Sequence, residues 1–123
     1  MLRTLVTSAI AAAALLTAAL PAQAKPLDKS TVTDLQTIKS NADRIAAGRY
    51  TGKALQAPAR EIALAWARVA PSLSRNGEVL VETKMANASI SALERDWQTS
   101  KNIRDEAQDV STSVADIQAA AAS

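Results

Sequence analysis

The fold turns on Glu78–Ala121, EVLVETKMANASISALERDWQTSKNIRDEAQDVSTSVADIQAAA. In its first half Val79, Ala86, Ile90, Leu93 and Trp97 recur at helical spacing, with polar Thr83 filling the missing three-to-four-residue step. In its second half Ile103, Ala107, Val110, Val114, Ile117 and Ala121 follow at intervals of four, three, four, three and four, close to a heptad seam. The seams are out of phase, because Trp97 and Ile103 are six residues apart rather than seven. Thr99, Ser100 and Asn102 in the gap suit helix caps, and Asp105 and Glu106 suit the electropositive first turn of a new helix. These features predict two helices, at about 78–98 and 102–119, with residues 120–123 frayed. No glycine or proline enforces the break, so the alternative is three helices, with residues 78–120 forming one long helix that absorbs a stammer.

Towards the N-terminus the same periodicity repeats. Val32, Leu35, Ile38, Ala42, Ile45 and Ala46 predict a helix over 30–47. Ser30 or Thr31 would cap it, with Asp34 in the capping-box position, and Gly48 would stop it in the left-handed conformation. Ile62, Ala63, Trp66, Val69 and Ala70 predict a helix over 58–71, with Pro58 in its first turn and Pro71 marking its end within about a turn. Val79-Leu80-Val81 is a short β-branched cluster with no obvious strand to pair with. The fold class expected is therefore all-α, a small antiparallel four-helix bundle of up-down-up-down order.

Met1–Ala24 reads differently. Arg3 gives a positive start, Leu5–Leu20 is uncharged and mostly apolar, and Pro21-Ala22-Gln23-Ala24 ends in the small-x-small pattern that signal peptidase accepts. The expectation is a signal peptide at 1–24, cleaved after Ala24, and one helical domain at 25–123 of a bacterial periplasmic or secreted protein. No twin-arginine pair points to the specialised export route, and no cysteine is present for lipid attachment. Residues 25–123 contain no stretch long and apolar enough to span a membrane.

Composition narrows the chemistry. The 123 residues include no histidine, cysteine or phenylalanine. Disulfides, Cys/His zinc sites, His-based acid–base catalysis and His- or Cys-ligated haem are therefore excluded for this chain acting alone. No Gly-x-Ser-x-Gly elbow, Ser-x-x-Lys motif or glycine-rich phosphate loop occurs beyond the leader. No catalytic, cofactor-binding or metal-ligating residue is assigned, and the chain is not expected to be an enzyme. Of the 42 apolar residues in 25–123, 19 are alanine, which implies closely spaced helices around a thin core.

Charge divides the chain. Residues 25–75 carry nine Lys/Arg against four acids, and residues 76–123 carry four against eight. The simplest reading has a basic front hairpin beside an acidic rear hairpin with complementary rims. The alternative is a dipolar surface offering one face to a charged partner. The basic residues are scattered rather than set in a dense face with aromatics, so nucleic acid is not expected as a partner. Glu78/Glu82 and Asp105/Asp109 place carboxylates one turn apart, enough to suggest a weak metal binder but more simply a solvated acidic face.

Three aromatics remain as candidate contact residues: Tyr50, flanked by Arg49 and Lys53, and the two tryptophans, Trp66 and Trp97. Each tryptophan could equally plug the bundle core. The function expected is contact with an unidentified protein partner, or self-association through the alanine-rich and heptad-like seams. The alternative is a binding module for a small apolar or anionic ligand between helices.

Overall fold

The computed structural model describes residues 26–99 and 101–122. The predicted leader at 1–24 lies outside the described residues, as do Lys25, Ser100 and Ser123. Among the described residues there are four helices and no strand: α1 Lys29–Ala46, α2 Gln56–Ser74, α3 Leu80–Asp96 and α4 Ile103–Ala122. The 3₁₀ turns Gly52–Leu55 and Gly77–Val79 lead into α2 and α3. α3 ends at Asp96 and α4 begins at Ile103, which removes the alternative of one long helix over 78–120.

α1 packs on α2 and α4, and α3 packs on the same two helices, so the first helix closes onto the last. Side-chain links show the directions. On α1 and α2, Asp34 meets Arg68 and Asn41 meets Glu61. On α1 and α4, Asp43 meets Ser111 and Ala46 meets Arg104. In both pairs the numbers rise along one helix as they fall along the other, which is antiparallel packing. Trp66 Nε1 donates to Asn87 Oδ1 at 2.9 Å between α2 and α3. The hydroxyls of Ser89 and Ser113 lie 3.5 Å apart between α3 and α4. The result is a small antiparallel four-helix bundle.

The core follows from the spacing. Leu35, Ile38, Ile45, Ile62, Leu73, Val79, Leu93, Val110, Val114 and Ile117 are essentially without solvent contact. Each helix also buries at least one alanine completely: Ala42, Ala65, Ala86 and Ala107. A methyl side chain at these positions lets neighbouring ridges and grooves approach closely, as an alanine-rich interface requires.

The ends of the elements differ from expectation in instructive ways. α1 starts at Lys29 and is capped by Asp28, not by Ser30 or Thr31. Asp28 accepts from the Thr31 backbone N–H and from Ser30 Oγ, both at 2.9 Å. These bonds, the Thr31 amide first, hold its carboxyl below the usual aspartate range. Asp34 consequently serves no capping box and instead binds Arg68 across the helix pair. At the other end Gly48, with φ of +77°, donates to the Ile45 carbonyl, while Arg49 donates to that of Arg44. Together these two bonds form a Schellman stop.

α2 begins two residues before Pro58 and runs past Pro71 to Ser74, because a proline near the last turn sacrifices only one backbone bond. α4 extends to Ala122 rather than fraying after residue 119. Ala120 and Ala121 pack against the core, and alanine is the best helix former. Val32, expected on the buried face of α1, is half exposed, and Thr31 is buried in its place.

Candidate functional site

Among the described residues, open clefts lie on the surface of the bundle. The sequence candidates separate accordingly. Trp66 is only 6% exposed and belongs to the core cluster, with its indole N–H spent on Asn87. Its ring packs within the core cluster. Tyr50 and Trp97 are half-buried, each with one side against the core.

Tyr50 and Trp97 lie 47 positions apart in the chain. Both line one cleft of about 540 Å³ at the end of the bundle, where the α1 stop, the 3₁₀ turn before α2 and the α3–α4 connection meet. Leu55 and Ile103 contribute apolar surface there, and Lys53, Gln98 and Arg104 contribute polar groups. The pairing follows from α1 closing onto α4. Tyr50 sits just beyond the C-terminus of α1, Trp97 caps the C-terminus of α3, and Ile103 opens α4.

Arg104 was not legible as a functional residue in the sequence, and the structure gives it a defined place. Its Nε donates to the Ala46 carbonyl at 3.0 Å, satisfying an acceptor at the negative end of the α1 dipole. Gly48 makes room for it. A Cβ built on Gly48 would lie 3.2 Å from Arg104 Cζ. The glycine therefore serves twice, once for its positive φ and once for the guanidinium lying across it.

Ion pairs form within each half of the chain. Arg68–Asp34 and Lys39–Asp43 are ion pairs within the front half, and Arg95–Asp96 is a pair of neighbours in the rear half. Contacts between the halves instead include donors of the rear half on acceptors of the front half: Ser111 Oγ on Asp43, and Arg104 on Ala46. Partial burial of the Asp43 carboxyl works to raise its pKa, but the bonds from Ser111 and Lys39 outweigh it and hold the group below the usual aspartate range.

A second surface depression, of about 580 Å³, runs along the outer face of α1 past Thr33, Thr37, Ser40 and Arg44. A third, of about 320 Å³, is mostly apolar and lies between Leu27, Val32 and the end of α4. The carboxylate pairs Glu78/Glu82 and Asp105/Asp109 lie on the surface of the bundle. Among the described residues no group of three or more His, Cys, Asp or Glu side chains is placed to hold a metal ion. No described helix is long and apolar enough to cross a membrane.

The heptad-like seam of α4 is consumed within the chain, with Val110, Val114 and Ile117 fully buried. A second copy would have to pack on outer faces instead. No family model, curated protein or solved structure matches this chain.

Proposed function

We propose that this is a small exported, non-enzymatic helical protein that acts by contact, through the cleft formed by Tyr50 and Trp97. The observation that carries the reading is their convergence. Two aromatics far apart in sequence are brought to one open cleft, whereas the third, Trp66, is committed to packing. Aromatic side chains with one side anchored and one side open are the commonest anchors of protein contacts, because they offer large area at low entropic cost. Export is supported by the charge, apolar length and cleavage pattern of Met1–Ala24.

Affinity capture from the cell envelope tests the contact. Wild-type protein should retain a partner that Tyr50→Ala loses, with the helical circular dichroism of the two proteins alike. Equal capture by both would remove the cleft from the contact. The mass of the protein recovered from an exporting bacterium tests the leader. A chain starting at Lys25 is expected, and one retaining Met1 would end the export reading.

Self-association has one observation of its own. Val81 and Met85, one turn apart on α3, are 66% and 58% exposed. A second copy packing there would appear as a dimer in light scattering, and Met85→Lys would return it to monomer.

A further inference from the structure

We infer that the loop-end cleft selects a carboxylate carried on a flat apolar group, either a free aromatic acid or a peptide ending in an aromatic residue. The inference rests on the contact reading above and adds the chemistry of what is contacted. Three observations carry it. The cleft is lined by two cations, Lys53 and Arg104, and by no carboxylate. Asp105 and Glu106, on the first turn of α4, are not among its lining residues.

Arg104 is also held in position without being neutralised. Its Nε is tied to the Ala46 carbonyl, and no described carboxylate pairs with it. A guanidinium anchored by one nitrogen to a neutral acceptor keeps its charge and its terminal N–H pair for a planar anion. An incoming carboxylate therefore displaces no ion pair and finds a donor whose side-chain freedom is already reduced.

The third observation is the apolar surface. Tyr50, Leu55, Trp97 and Ile103 line the same cleft, whose volume lies within the range of small-ligand sites. A small inorganic anion would leave that surface wet, and a neutral ring would leave two cations unanswered. An acid on a flat ring answers both.

Titration of the ¹⁵N-labelled protein followed by NMR tests this, with phenylacetate against phenylacetamide, and a short peptide ending in phenylalanine against its C-terminal amide. Each acid and its amide have nearly the same shape and differ in charge. Either acid should shift the Trp97 indole and Arg104 Nε signals, binding at least about tenfold more tightly than its amide and weakening as salt rises. Which of the two acids binds identifies the source of the carboxylate. Lys53→Gln should weaken binding several-fold while leaving the helical signal unchanged, since the Lys53 side chain is exposed and its one structural bond, the backbone carbonyl accepting from Gln56 N–H, survives the substitution.

Acid and amide binding equally, or neither acid shifting these signals at about 1 mM, would overturn the inference. If Tyr50→Ala still abolished partner capture in that case, the contact reading would stand without the anion. If the acids bound but capture were indifferent to Tyr50, the contact reading alone would fall.

Discussion

Thr83 offers the sharpest test of how this core is held together. It occupies a seam position of α3 between Val79 and Ala86, is 3% exposed, and its hydroxyl has no hydrogen-bond partner among the described residues. A buried, unpaired polar group costs about 1–3 kcal/mol through the loss of its bonds to water. Valine has nearly the same shape, replaces the hydroxyl by a methyl and has similar helix propensity, so Thr83→Val should add about 1 kcal/mol or more of stability. For a domain of this size that corresponds to a rise of about 4–8 °C in Tm. Thermal and urea unfolding of the purified protein, followed by circular dichroism, would measure it. The midpoint should rise with the urea slope unchanged, since the surface exposed on unfolding is the same. Thr83→Ser is the companion variant. It keeps the hydroxyl and loses the methyl, and should cost about 1 kcal/mol. If Thr83→Val were instead less stable than wild type, the hydroxyl would have a partner, and the picture of a dry seam relieved by a methyl would be wrong.

Gly48→Ala forces a side chain into a positive-φ position and against the Arg104 guanidinium, and should cost at least about 1 kcal/mol by the same unfolding assay. It should also move the Arg104 Nε resonance, which a backbone effect confined to α1 would leave in place. The two tryptophans should separate by fluorescence. Trp97→Phe leaves Trp66 alone, which should emit at short wavelength and resist iodide, whereas Trp66→Phe leaves a Trp97 that iodide quenches. Asp28, Asp43 and Asp96 all have pKa values lowered in the folded state, by hydrogen bonds from Thr31, from Ser111 and Lys39, and from Arg95 respectively. A lowered folded pKa means stability that is present above the ordinary carboxylate value and is lost as pH falls through the folded one. Tm should therefore hold near neutrality and fall below about pH 4. Ser111→Ala should lower stability at pH 7 by about 1 kcal/mol, because Asp43 keeps Lys39 and solvent, and should make the acid decline shallower.

The spacing of apolar residues was enough to determine the four helices and most of the core, because periodicity is a local property of the chain. Leu35, Ile38, Ile62, Val69, Val110, Val114 and Ile117 were all placed on buried faces by counting alone, and all are buried. The phase slip between Trp97 and Ile103 marked the break between α3 and α4 without help from glycine or proline. Ends were less legible. The capping aspartate was Asp28 and not a neighbouring serine or threonine, and the α4 tail stayed helical, because both depend on which backbone groups and alanine methyls find partners in three dimensions.

The cleft belongs wholly to the tertiary structure. Trp66 and Trp97 look equivalent in sequence, each a large ring on the apolar seam of its helix. They are told apart only by where their helices pack, one in the core cluster with its indole N–H on Asn87 and the other at an open end. Tyr50 shares a cleft with Trp97, and Arg104 reaches the carbonyl of Ala46, because α1 closes onto α4 and brings together segments some fifty residues apart. Local spacing cannot encode that meeting. It arises when four amphipathic faces bury themselves against one another, and the surface that remains is whatever that closure leaves uncovered.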